Sequence, residues 1–169
     1  MLLMEKIEHV CKTIKHVQKS KDKEHKLNYL RTHNSEELQR IFWYTYNPLF
    51  DYGISREQIE NYCGTISDYK EFKESIFDLL DDLMQGHITG CSACGVVLSI
   101  RDLMNDEVFK LLLDIISRDL KLDLSINEIN DVFDNKSFSQ WYIPPKYNDY
   151  LKNNIIKKQH KNKYVKLLA

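Results

Sequence analysis

A chain of 169 residues with 43% hydrophobic side chains has the size of one domain and can supply a core, while five Gly and three Pro are too few for the many turns of a β-sandwich. The opening Met1-Leu2-Leu3-Met4-Glu5-Lys6 turns charged too soon for a signal peptide, and no apolar run could span a bilayer, so we expect a soluble intracellular protein with four reduced cysteines. The formal net charge of −1 sums unlike parts: residues 1–31 hold eight Lys/Arg against four Asp/Glu, residues 32–117 hold six against fifteen, and residues 118–169 hold ten against six.

Two basic ends around an acidic middle suit a clamp on a polyanion, and equally suit a solvated surface. Leu3, Ile7, Val10, Cys11, Ile14 and Val17 recur at spacings of three and four, which predicts a helix over 2–19 with one apolar face. A lysine-rich turn and a short run through Leu27 and Leu30 follow. Asn34 with Glu37 then reads as the capping box of a helix carrying Leu38, Ile41, Phe42 and Thr45, which Asn47-Pro48 ends. Ser55 with Gln58 repeats the capping pattern, and Gly64 breaks the short helix behind it. Ser67 opens the strongest amphipath, with Phe72, Ile76, Phe77, Leu79, Leu80, Leu83 and Met84 on one face and Gly86 at its end. Asn105 opens a helix through Val108, Leu111, Leu112 and Ile115, and Ser125 with Glu128 caps a last short one ending near Phe133. The sum is an all-α domain of about seven helices over 1–135. Residues 136–169 follow as a linker and a basic, partly extended tail, with seven Lys against one acidic residue from Lys146 onward.

The stretch from His87 to Val97, HITGCSACGVV, holds the one arrangement that suggests chemistry. Cys91 and Cys94 have the Cys-x-x-Cys spacing of zinc sites and thiol oxidoreductases. A structural zinc site takes four ligands, and Cys91, Cys94 and His87 have no second pair, since Cys11 and Cys63 are isolated. A redox pair would follow a strand in a βαβ unit, and no strand pattern precedes this one. We expect no metal here. Two readings remain: a tight helix–turn–helix packed in the core, or a bend at Thr89-Gly90 that opens a helix near Cys91 and offers backbone N–H groups to an anion such as phosphate.

Three stretches together resemble the N-terminal helical DNA-binding domain of ATP-dependent DNA ligases, most closely the phage type. HNSEELQRIFWYTYNPLFDYGIS (33–55) is similar to a helix and Tyr/Pro-to-Gly-Ile segment of that domain. FDLLDDLMQGHITGCSACGVV (77–97) resembles its Leu-Leu-x-x-Leu…Leu-Thr-Gly-Asn-Ala-Ala segment. FKLLLDIISRDLKLDLSINEINDVF (109–133) resembles its Ile-Leu-x-Arg-Asp-Leu-x-x-Gly-Val-Ser…Ile-Asn-Lys-Val segment. Order and spacing agree over about residues 25–135. Cys91-Ser92-Ala93 stand where the family has Asn-Ala-Ala, and Asp123 stands where it has Gly.

The resemblance implies a module that holds duplex or nicked DNA by phosphates and sugars without reading sequence, in replication or repair. The residues it points to are Thr89, Gly90 and Ser92 at the helix entry and Arg118, Lys121, Ser125 and Asn130 in the third segment; Lys26, in the basic N-terminal end, joins them as a DNA-binding candidate on charge alone. For Arg118 an ion pair that fixes the turn is the competing role, and for Ser125 a plain N-cap. The family's Lys-x-Asp-Gly motif, whose lysine takes AMP, is missing: Lys121-Leu122-Asp123-Leu124 lacks its Gly, and Lys166 is followed by Leu-Leu-Ala. The resemblance therefore implies no catalysis by this chain itself, and assigns ATP and Mg to a nucleotidyltransferase supplied elsewhere, the natural protein partner. The alternative is a protein-interaction or inhibitory module that keeps the fold without DNA binding, suggested by Asp123 and the acidic middle. An independent enzyme fits least, with no Gly-rich phosphate loop and no Ser/His/Asp arrangement.

Overall fold

The computed structural model describes residues 2–47, 50–66 and 75–133, and every regular element among them is helical. In chain order these are α1 (Leu3–Lys19), α2 (Lys23–Thr32), α3 (Glu36–Tyr46), α4 (Arg56–Glu60), α5 (Ile76–Gln85), α6 (Gly90–Ser99), a 3₁₀ turn (Arg101–Leu103), α7 (Asp106–Ile116) and α8 (Ile126–Val132). The tail from 136 lies outside the described residues, as does the expected helix start at Ser67. None of these helices is long and apolar enough to cross a membrane.

Local chemistry explains most of the boundaries. Asp22, Ser35, Ser55, Ser75, Asn105 and Ser125 each accept a hydrogen bond from a first-turn N–H of the helix they precede. Ser55–Gln58 and Ser125–Glu128 are reciprocal capping boxes, as their spacing suggests. The α3 cap is one residue later than expected. Ser35, in the extended conformation, takes the Leu38 N–H at 3.1 Å, while Asn34 accepts from the Gln39 side chain instead. At the far end of α5, Gly86 is left-handed (φ 74°), and the His87 N–H returns to the Asp82 carbonyl.

Helix α7 is central. Its sequence DEVFKLLLDII is apolar almost all round, and Val108, Leu111, Leu112, Ile115 and Ile116 are all buried. It packs against α1, α3 and α4, while α2 pairs with α8 and α6 with α4. Helix α5 joins through Tyr44 of α3, whose ring meets Phe77 and whose hydroxyl donates to the buried Asp81 at 2.5 Å. Each fully buried Leu, Ile or Phe contributes about 1.5–3 kcal/mol, so this core carries the fold. At its edge Asp114, 2% exposed, receives Arg56 of α4 at 2.9 Å and Lys110 at 3.3 Å, a buried carboxylate held by two cations.

Candidate nucleic-acid interface

Two structures gather the residues expected at the interface. The first is the entry to α6. The chain leaves Gly86, passes His87, and reaches Thr89 in an extended conformation before the helix begins at Gly90, whose φ is 59°. Thr89 makes no side-chain cap bond, and the first helical acceptor, its own carbonyl, takes the Ala93 N–H. The N–H groups of Gly90, Cys91 and Ser92 therefore have no acceptor within the helix, and the first turn carries no acidic side chain. Thr89, Gly90, Cys91 and Ser92 are exposed. Ser92 Oγ donates to the Thr89 carbonyl at 2.7 Å.

Below this turn α6 presents small residues to its neighbour. A Cβ on Gly95 would lie 3.0 Å from the Thr65 carbonyl and 3.2 Å from Tyr62 Oη, which itself donates to that carbonyl. Glycine at 95 lets the segment after α4 approach the helix, and this contact positions the entry.

The cysteines occupy unlike environments one helical turn apart: Cys91 is exposed and Cys94 buried. Burial, then the neighbouring Cys91, pushes the Cys94 thiol up, opposite to what a reactive or metal-binding thiolate needs. His87 belongs to the preceding turn, its Nδ1 at 3.0 Å from Asp82 Oδ1.

The second structure is the loop from Arg118 to Ser125 between α7 and α8. Arg118, Lys121 and Asp123 all have left-handed φ values, 61°, 54° and 55°. Each costs roughly 1–2 kcal/mol for a residue with a Cβ, so something must hold the loop in place. Between these residues, Leu120 and Leu122 are buried, and their backbones are fastened at several points. The Leu120 N–H donates to Tyr46 Oη at 3.2 Å, the Leu120 carbonyl accepts from Gln18 at 2.8 Å, and the Leu122 carbonyl accepts from Lys26 Nζ at 2.6 Å. Burial raises the Tyr46 hydroxyl to about 12, which keeps it neutral while it accepts this bond.

Arg118 carries the closing contacts. Its guanidinium donates to the Phe50 carbonyl and, at 2.6 Å, to the Asn47 carbonyl. The turn is thus fixed by Arg118, as its competing role required, but through main-chain oxygens and not through an ion pair. Lys26 departs further from expectation. It is 4% exposed, its ammonium is spent on Leu122, and Asp123 lies 3.6 Å away, so in this fold it is a structural cation within the domain. Ser125 is the N-cap of α8, accepting the Glu128 N–H at 3.3 Å while its own N–H meets Glu128 Oε2 at 2.8 Å. Asn130 is half-buried with Oδ1 enclosed and, among the described residues, without a hydrogen-bond partner. Lys121 alone of the expected cations points to solvent, its N–H held by Asp119 at 2.7 Å.

The entry is positioned by α4 and the segment after it, and the loop by α1, α2 and α3 and by the carbonyls of Asn47 and Phe50. Sequence reasoning missed Gln18 and Tyr46, which hold the loop. Neither carries a motif, and both reach it across more than seventy residues. A cleft of about 270 Å³ between α1 and α7 is less suited to an anion. Cys11, Ile14 and Leu111 line it as buried apolar groups, and of its three lysines Lys15 and Lys110 are paired with Glu107 and Asp114, which leaves Lys19. No protein-family model matches the chain, and a comparison with curated proteins gives no significant match.

Proposed function

We propose that this chain is a duplex-DNA-binding module of the kind found at the N-terminus of ATP-dependent DNA ligases, supporting nick sealing together with a nucleotidyltransferase supplied elsewhere. The observation that carries the reading is the α6 entry. It is an exposed, uncapped helix N-terminus at Thr89-Gly90, where the family has its own Thr-Gly. A phosphate there would accept from the Gly90, Cys91 and Ser92 N–H groups, with the Thr89 and Ser92 hydroxyls beside it. The conformation of Asp123 lends support: φ is 55° where the ligase family carries Gly, a residue that takes that conformation freely. Lys121 supplies charge beside it without geometric demands.

The test is a pair of variants read by fluorescence anisotropy on a nicked duplex. Thr89→Asp places a capping carboxylate where the phosphate would sit, and Lys121→Glu reverses the exposed charge. Both are expected to lose at least tenfold in affinity. Wild-type affinity in both, with the wild type binding, would remove the proposed surface.

A second reading, docking onto a protein partner, draws on a specific pair of facts. Lys26 and Arg118 are engaged inside the domain, and the Asp123 side chain is 90% exposed. Lys121→Glu separates the readings, since it should abolish DNA binding and leave docking largely intact. Charge reversal at Lys26 does not, because it would break the loop first.

A further inference from the structure

His25, Tyr29 and His33 stand four residues apart and share one face of α2. At the Ser20–Asp22 turn the chain reverses, which brings His16, in the last turn of α1, onto that face. The His16 and His33 rings each stack on Tyr29, with centroids 3.9 Å away and planes 17° apart. One face of a phenol holds one such ring, so Tyr29 is held between the two. His33 is anchored in turn by its Nδ1, which donates to the Tyr29 carbonyl at 2.9 Å. The stack fixes the His16 ring, and its Nε2 shares a hydrogen bond with the Nε2 of His25 at 3.3 Å, one ring nitrogen donating to the other, so an ion bound between them takes the place of that proton.

That separation has a chemical meaning. Two imidazoles bound to one tetrahedral ion at about 2.0–2.1 Å have their ligating nitrogens about 3.3–3.4 Å apart. We infer that His16 and His25 form a two-imidazole site for a divalent transition-metal ion. Both rings are exposed, so solvent reaches the remaining positions. Among the described residues no group of three or more His, Cys, Asp or Glu is placed to hold a metal, so the protein supplies two ligands and water the others.

The surroundings select the ion. Lys12 and Lys19 lie one turn from His16 and oppose any cation. Against them stand the negative end of α1, Asp22 at the cap of α2 and Glu24 in its first turn. An ion held by imidazole donation, such as Zn(II), Ni(II) or Cu(II), binds in such a field. Mg(II) and Ca(II), which need oxygen ligands, do not. Bound metal ties the end of α1 to the start of α2 across the lysine-rich turn. The site is independent of the DNA-binding proposal and shares none of its residues.

The experiment is calorimetric titration of the full chain with Zn(II), Ni(II) and Mg(II), repeated on His25→Asn, His16→Asn and, as controls, His9→Asn and His87→Asn. One ion per chain, affinity lost at least tenfold in the His16 and His25 variants alone, and no heat from Mg(II) are the expected results. Melting temperature should rise with Zn(II) in the wild type and stay unchanged in His25→Asn. Because His16→Asn also removes the stack on Tyr29, His25→Asn decides; its ring is tilted away from Tyr29, at 6.1 Å between centroids. Zn(II) binding unaffected by His25→Asn, or no binding tighter than millimolar in the wild type, overturns the inference.

Discussion

The guanidinium of Arg118 does two things that pull in opposite directions. It locks the Asn47 and Phe50 carbonyls to the end of α7, and it does so from a left-handed residue where a Cβ is unwelcome. Charge-assisted hydrogen bonds contribute about 1.5–3 kcal/mol, and alanine keeps the cost of the left-handed conformation, so Arg118→Ala is expected to destabilise by at least about 2 kcal/mol in urea unfolding. Arg118→Gly loses the same bonds but relieves the backbone, and should lie about 1 kcal/mol above the Ala variant. If the two variants were equal, φ would carry no cost at this position. Glu128 gives a residue-scale expectation for pH. The Lys23 ammonium at 2.6 Å, followed by the Ser125 N–H and hydroxyl, lowers its carboxyl from the ordinary 4.5 to about 2. A lowered folded value means that the contribution is complete above 4.5 and is lost as pH falls toward about 2. The urea midpoint of Glu128→Gln should therefore fall less steeply than that of the wild type across this window.

Among the elements, α6 and the α7–α8 loop show what a sequence can and cannot carry. Gly95→Ala ought to help a helix by about 1 kcal/mol on propensity alone. Here the new methyl would press on the Thr65 carbonyl at 3.0 Å, so net destabilisation of about 1–3 kcal/mol is expected instead, seen as a lower thermal midpoint. The reverse trade applies at the start of the same helix. Thr89→Asp should supply the missing cap and stabilise by about 1 kcal/mol while it weakens DNA binding, a gain in stability at the expense of function. The caps at Ser55, Asn105 and Ser125, and the stop at Gly86, were legible because each depends on residues three or four apart. The α3 cap slipped from Asn34 to Ser35 because two capping residues stand side by side, and spacing alone does not choose between them. What could not be read was the loop from 118 to 125. Arg118 and Lys26 look like surface cations in the sequence, and only the fold turns their charges onto carbonyls of distant residues. The His16–His25 approach was equally hidden, since it depends on how α1 and α2 meet.

For the whole molecule, the fold class followed from composition and periodicity, and the all-helical architecture of the described residues agrees with it. The proposed role in ligation rests on how an exposed helix entry and a rigid, lysine-bearing loop meet the resemblance to the ligase helical domain. Asp123 is the residue at which that resemblance and the chemistry of DNA disagree. Asp123→Gly keeps the left-handed turn, removes a carboxylate that is 90% exposed, and should tighten DNA binding while leaving stability within about 1 kcal/mol of the wild type. The most direct measurement is an anisotropy titration of nicked and intact duplexes with the whole chain at low and high salt. Binding that favours the nick, falls steeply with salt and ignores base sequence is expected of a ligase-type DNA-binding module. No binding at low salt, or binding indifferent to salt, would contradict it.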